Sequence, residues 1–434
     1  MSEWETEPAS DFCLSVRDGT HDSPKPVEVG RKLITSRHMI SGNLDLEKAY
    51  LISADEFEDI NRRSKVDRWD VLISMIGTVG EVYLEQNDPD YAIKNIGLFK
   101  SRSERRGRWL HFYLKIPEVR AELRSRCRGT TQLYVPLGEL RSFPVTFPSD
   151  EGEQDDILEI LSCLDDKIAL NRRTNETLEA MAQAIFRDWF VDFGPTRRKI
   201  EGASDPVMIM GGVVTDLERA QQLTRLFPAS LRDGGFPEGW KEGSLADVAR
   251  TASTVVSPAE IAPETPYIGL EHMPRRSIAL NEWEAASKVT SNKSRFERGQ
   301  ILFGKLRPYF HKVGIAPVDG VCSTDIIVLD AIESHARPMV AMCVATDEFV
   351  GFTDQGSTGT KMPRTSWGNM KTYPIALAPQ PVIEEFGGMV LPMMDKIVAG
   401  IHGSRTLSAT RDLLLPKLMS GEIRLAEAVA EAAE

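Results

Sequence analysis

At 434 residues, with 41% apolar and 27% charged side chains, the chain is long enough for two or three globular cores and is neither disordered nor fibrous. Lysine plus arginine number 52 against 64 aspartate plus glutamate, a formal charge of −12 that, taken whole, argues against binding phosphate. No apolar run reaches the ~18–20 residues of a membrane span, and a start carrying Glu3, Glu5 and Glu7 is unlike a secretory signal. Cys13, Cys127, Cys163, Cys322 and Cys343 form no CxxC pair, which reads as reduced thiols in a cytoplasmic protein without structural zinc.

In chain order, residues 1–152 form a first globular region rich in short β-type runs, among them Val71-Leu72-Ile73 and Gly80-Glu81-Val82-Tyr83-Leu84. Within it, residues 100–128 carry ten bases against Glu104, Glu118 and Glu122. Eight acids and no base follow between Asp150 and Asp166. A long helix is predicted over 153–194, starting near Gln154, where the acids complement the helix dipole, and stopping at Phe193 before Gly194-Pro195. That is roughly 60 Å of helix at ~1.5 Å per residue. Residues 195–236 read as a Gly-rich connector, with room for a short helix from Thr215 to Phe227. A second β-rich region spans 237–379, including Ile301-Leu302-Phe303 and Asp325-Ile326-Ile327-Val328-Leu329, and its residues 275–312 carry nine bases against three acids. A second long helix follows over 380–425, with Gly387-Gly388 and Pro392 expected to interrupt or kink it, and then an acidic tail, 426–434.

The chain contains itself twice. Trp4 and Asp11 recur as Trp240 and Asp247, and Ile34, His38 and Met39 as Ile268, His272 and Met273. Gly129-Thr130 recurs as Gly359-Thr360, Phe143-Pro144-Val145 as Tyr373-Pro374-Ile375, and Asp166-Lys167-Ile168 as Asp395-Lys396-Ile397. The order never changes and the offset drifts one way, as in a tandem duplication with small deletions. Both helices also lose their heptad seam at one place: Asn171 and Asn175 in the first, Gly400 and Ser404 in the second. Polar or small seam residues fix register and partner choice in a helix pair. The fold expected is therefore α+β: two tandem-duplicated globular domains, each mixed α/β with a β-rich core, separated by two long antiparallel helices forming a coiled-coil spacer with pseudo-two-fold symmetry.

Gly299-Gln-Ile-Leu-Phe-Gly304-Lys305-Leu306 fits the glycine-rich phosphate loop except that Leu306 replaces the magnesium-binding Ser or Thr. Its Ile-Leu-Phe interior suits a buried strand, and its counterpart, residues 69–74, has no glycine. There is no Gly-x-Ser-x-Gly, no His-Glu-x-x-His and no Pro-Pro dipeptide, so no nucleophile elbow, zinc protease site or adenine-methyltransferase motif is present. Asp18-Gly19-Thr20-His21 reads as a satisfied polar turn. The two basic windows, with Arg102, Arg105, Arg106 and Arg108 in the first and Lys305, Arg307 and Lys312 in the second, are compatible with two anion-binding surfaces or with solvated faces. Thr130, Thr131 and Gln132 in one copy, and Ser357, Thr358, Thr360 and Lys361 in the other, form hydroxyl-rich loops suited to phosphate or base-edge hydrogen bonds.

Leu170-Asn-Arg-Arg-Thr-Asn-Glu-Thr-Leu-Glu-Ala180 and Phe186-Arg-Asp-Trp-Phe-Val-Asp-Phe193 strongly resemble the central region of the DNA-specificity subunit of type I restriction-modification systems. The stretch from Ser404 through Arg411-Asp-Leu-Leu-Leu-Pro-Lys-Leu-Met-Ser-Gly421 resembles that family's C-terminal region, and Asp18-Gly-Thr-His21 and Phe236-Pro-Glu-Gly-Trp240 its two domain openings. The resemblance implies a non-catalytic, cytoplasmic subunit whose two domains read the halves of a bipartite, asymmetric site in double-stranded DNA, with the helices as a fixed ruler. It implies recruitment of two adenine-N6 methyltransferase subunits and two ATP-dependent translocase/nuclease subunits. No cofactor is expected on this chain; S-adenosylmethionine, ATP and magnesium would belong to those partners. Arg172, Arg173, Glu176, Glu179 and Arg187, on the outward helix faces, are candidates for holding the methyltransferase. Two other readings compete: a coiled-coil adaptor whose heads bind proteins, without preference for DNA sequence, and a nuclease or NTPase acting alone.

Overall fold

The computed structural model describes residues 3–40, 42–130, 132–359 and 361–423. The chain divides into two compact units, and the divisions fall inside the long helices: residues 1–166 with 407–434 form the first, and 167–406 the second.

In the first unit an antiparallel sheet has the spatial order Ser15–Asp18, Ile96–Lys100, Val71–Ser74, Val82–Leu84. Beside it, Arg31–Thr35 pairs in parallel with Tyr91–Lys94 and antiparallel with Tyr50–Ile52. The outermost strands, Trp4–Pro8 and Pro144–Pro148, pair with each other and close the domain. In the second unit the order is repeated as Ala249–Thr251, Ile326–Ala331, Ile301–Gly304, Val313–Ile315. Pro266–Ile268 and Gly320–Cys322 repeat the parallel pair, and Lys241–Ser244 with Pro374–Leu377 the closing pair. The copies differ at one flank: the second adds Thr254–Val256 and Lys293–Phe296 to a five-stranded sheet, whereas the first carries the helix Ala54–Ser64. That helix begins at a reciprocal cap between Ser53 and Glu56.

The central strand of each copy is buried on both faces, as continuous apolar runs require. Its side chains alternate: Val71 and Ile73 enter the helix-side core while Leu72 enters the other, and Ile301 and Phe303 part from Leu302 in the same way. The apparent phosphate loop at Gly299 to Lys305 is thus a core strand. The repeated His38 and His272 also share a role: each Nδ1 accepts a backbone N–H three residues earlier, from Thr35 and Gly269, at 2.9 Å.

Within each unit the helical segments pack on one another. In the second, Phe186 meets Phe386, Asn175 meets Ile397 and Gly400, and Asn171 meets Gly403, so one segment descends as the other rises. The residue facing Asn171 is therefore Gly403, one position before the Ser404 named by the heptad count. In the first unit, Ile157, Leu158 and Leu161 share a core with Leu415, Leu418 and Met419.

One expectation about the long helices needs correction. The distal helix is unbroken over Gln380–Met419, with both glycines and Pro392 inside it. Gly387 serves close packing: a Cβ there would lie 2.5 Å from the His335 carbonyl oxygen. The first helix is α-helical over Glu151–Phe186 and continues as a π-helical turn over Arg187–Val191. That helix ends before Phe193, where a stop is expected: Phe193 takes a left-handed φ of 53°, and Gly194-Pro195 then also opens a new helix, Gly194–Ile200. Arg198 of that helix grips Asp188 with two hydrogen bonds of 2.8 Å. The connector is accordingly packed, with Leu217–Thr224 as a further helix and Met210, Leu223 and Phe227 in the core of the second unit. Trp189, Phe190, Phe386 and Trp240 form the aromatic centre of that core. The tail, 426–434, lies outside the described residues.

Candidate functional site

Each unit builds one backbone frame from two loops. In the first, the loop after Val71–Ser74 meets the hairpin 128–134 that follows the helix Pro117–Ser125. Ile76 bridges Tyr134, Tyr134 bridges Arg128, the Gly77 N–H donates to the Leu133 carbonyl (3.2 Å) and the Val135 N–H to the Met75 carbonyl (2.9 Å). In the second, Leu306 bridges Arg364, Arg364 bridges Thr358, the Arg307 N–H donates to the Pro363 carbonyl (2.7 Å) and the Thr365 N–H to the Lys305 carbonyl (3.0 Å). Every partner recurs 230 positions later, as from Ile76 to Leu306. Gly129 and Gly359 both take φ +96°, which lets the hairpin reverse. Position 77, with φ +80°, corresponds to position 307, with φ +51°.

The frame is common but its side chains are not. The first unit presents Leu133 and Tyr134, exposed, with exposed Thr130 and Gln132. The second presents exposed Tyr309, Met362, Lys361 and Thr358, half-buried Lys305 and Arg307, and Arg364 at 3.5 Å from Asp325. Ser357 donates its hydroxyl to the Thr353 carbonyl (2.9 Å). Thr131 and Thr360 lie outside the described residues.

Arg102, Arg105, Arg106 and Arg108 of the first basic window are engaged within their own unit. Arg105 pairs with Asp155 (2.6 Å) and Glu151 (2.7 Å), and those carboxylates hold its guanidinium above its ordinary range. Arg108 binds the Ser162 hydroxyl (2.5 Å) and Glu104. Arg102 donates to the Cys13 and Asp11 carbonyls, and Arg106 stacks on Phe12 and Phe147 at 4.3 and 4.5 Å. Lys115 bonds Asp165, which also takes Arg411 at 2.6 Å. Arg105 and Lys115 of the basic window thus pair with Glu151, Asp155 and Asp165 of the acidic helix start, two stretches read separately in the sequence. Lys312 is likewise internal, its ammonium bonded to the Leu270 carbonyl and pushed down by burial.

Of the five helix-face residues, Arg172, Arg173 and Glu176 are exposed. Glu179 is not outward: it accepts the Ile278 N–H (2.8 Å) and the Ser277 hydroxyl (2.9 Å), and burial pushes its carboxyl up. Arg187 is exposed but engages Glu348 (3.1 Å). The Asp18–His21 turn is satisfied, with His21 between Asp18 (2.9 Å) and Asn95 (2.8 Å). Sequence reasoning passed over Leu133, Tyr134, Tyr309, Met362 and Arg364; carrying the repeat through residues 75–80 would have exposed them. Among the described residues no group of three His, Cys, Asp or Glu could hold a metal, and no helix is long and apolar enough to cross a membrane.

Residues 1–180 match the family model described as the type I restriction modification DNA specificity domain. The chain is 24% identical over 338 residues to the type I restriction enzyme MjaIX specificity subunit of Methanocaldococcus jannaschii, covering 74% of this chain and 69% of that one. It is 24% identical over 355 residues to the HindI specificity subunit of Haemophilus influenzae, covering 68% and 75%. Against the crystal structure of a type I restriction-modification S subunit from M. genitalium the fold agrees with a TM-score of 0.51 at 14% identity, over 96% of each chain.

Proposed function

We propose, from the family model matched by residues 1–180 and from the two specificity subunits this chain resembles, that the chain is a type I restriction-modification DNA-specificity subunit whose two units each read one half of a bipartite, asymmetric site in double-stranded DNA, through the paired loops. The observation that carries this reading is one backbone frame built twice with different side chains. A frame held by backbone hydrogen bonds leaves its side chains free to differ, as reading two unlike half-sites requires. The loops 75–80 with 128–134, and 305–312 with 358–364, including Thr131 and Thr360, are the recognition elements. Residues 102–108 serve the packing of the first unit.

In this reading the chain does no chemistry. It directs two adenine-N6 methyltransferase subunits, and two ATP-dependent translocase/nuclease subunits, to the site. S-adenosylmethionine, ATP and magnesium act on those subunits. Arg172, Arg173 and Glu176, free on the helix face, are the residues through which the methyltransferase is held. The adaptor and lone-enzyme readings lose ground to the family match. The test is co-expression with the cognate methyltransferase subunit and mapping of methylated adenines by single-molecule sequencing. One split motif is the expected result; methylation without a split motif, or no complex, overturns the proposal.

A further inference from the structure

Position 307 carries a conflict that its counterpart avoids. Where the first unit has Gly77 at φ +80°, with nothing within 4 Å of the site a Cβ would occupy, the second has Arg307 at φ 51°, ψ 66°. A left-handed conformation places the Cβ of an L-residue against the following carbonyl, and a proline immediately after biases the preceding residue toward extended conformations. Arg307 precedes Pro308 and is nonetheless left-handed, against that bias. It is held there by its N–H bond to Pro363 and by the bridge between Leu306 and Arg364. Glycine would relieve the strain, as it does in the other copy. Strain of this kind persists where the surrounding structure over-determines it, and it concentrates at working sites.

The side chain shows what the position is for. The guanidinium carbon lies 5.8 Å from the Phe310 ring, which is covered at 4.1 Å by Arg275. Nε is buried without a hydrogen-bond partner among the described residues. Arg364, the other arginine of the frame, is near Asp325, whereas no carboxylate pairs with Arg307 among the described residues. Lys305 and exposed Tyr309 flank it. A planar cation, fixed at its base and unneutralised at its head, matches the O6 and N7 acceptors of a guanine edge.

Resting on the DNA-reading role above, we propose that Arg307 is the guanine-specifying residue of the second unit, and that Gly77, by offering no side chain, denies the first unit that contact. Exchange between glycine and arginine at this one frame position then changes a base preference without rebuilding the loop.

The experiment uses the assembled methyltransferase carrying R307G or R307K, with methylated motifs mapped by single-molecule sequencing and thermal unfolding measured alongside. R307G installs the residue of the other copy, so its Tm is expected to be unchanged or higher. Its motif should lose one G·C requirement in one half-site, with discrimination there falling about 10- to 100-fold and the other half unchanged. R307K keeps the charge but lacks the fork, and should lose most of the same discrimination. An unchanged motif in both variants overturns the proposal, as does a loss spread evenly over both halves. A lowered Tm with an intact motif assigns Arg307 to packing and equally overturns it. If the wild-type complex itself yields no split motif, the DNA-reading role fails, which is distinguishable from failure at position 307.

Discussion

Gly400→Ala tests the helix seam of the second unit, and its sign should depend on one neighbour. Replacing glycine by alanine inside a helix ordinarily stabilises by about 1 kcal/mol. Here the new methyl would lie 2.6 Å from Asn175 Oδ1 and 3.3 Å from its Cγ and Nδ2. Asn175 has little room to move, since it is buried and its Nδ2 donates to the Ile397 carbonyl at 3.3 Å. Overpacking of this kind costs about 1–3 kcal/mol, so the net change should be a loss of about 1 kcal/mol. In an Asn175→Ala background the obstruction is gone, and the same substitution should stabilise by about 1 kcal/mol. The coupling between the two sites is then about 2 kcal/mol, well above the scatter of independent sites. Urea unfolding at matched m-values measures it, with hydrogen exchange assigning the transition to the second unit. Effects that add to within about 0.5 kcal/mol, or a G400A variant more stable than wild type, would refute the argument.

The first unit should weaken in mild acid. Burial, then the Lys115 and Arg411 charges, lower the His111 pKa well below its ordinary value, so the folded imidazole stays neutral. The unfolded chain takes up a proton near pH 6.5, and stability from this group falls as the pH drops below that, by at most about 1.4 kcal/mol per unit. Unfolding from pH 7.5 to 5.5 should be flatter in His111→Phe than in wild type. Arg105→Ala, which breaks partly exposed pairs with Glu151 and Asp155, should lower stability by about 1 kcal/mol or less and leave both the methylated motif and the salt dependence of DNA binding unchanged; a changed motif would return the first basic window to the recognition surface. Lys361→Ala should reduce the slope of log K against log salt by about 1 without altering the motif, read from binding titrations at several salt concentrations.

The duplication, the central strands and the polar break in both helices were legible because each leaves a periodic or repeated trace. Ile301-Leu302-Phe303 reads as a buried strand from composition alone, and the structure places it there. The pairing of charge was not legible because it runs across long sequence separations. Arg105 stands 50 residues from Asp155 and Asp165 stands 246 from Arg411, and no local window joins them. Glu179 looked outward by helical phase, yet the loop at Ser277 and Ile278 folds onto that face and buries it. The bridges at Ile76 and Leu306 were invisible for another reason. They are backbone contacts, indifferent to side chain, and only the repeat spacing betrays them.

That indifference explains how the two halves of the chain can share an architecture and still differ in what they present. Gly77 and Arg307 are as unlike as two residues can be, yet the N–H of each reaches the carbonyl of the residue 56 positions on, Leu133 or Pro363. The frame therefore does not depend on the residue at its left-handed corner, and substitution there alters what the loop displays more than where it lies. The charge pattern works in the same direction. With Arg102, Arg105, Arg106 and Arg108 engaged inside the first unit and the chain acidic overall, that window offers a duplex less free positive charge than its composition suggests. On the proposed reading, discrimination would rest on the loop side chains, with phosphate contact expected in part from the subunits that assemble around them.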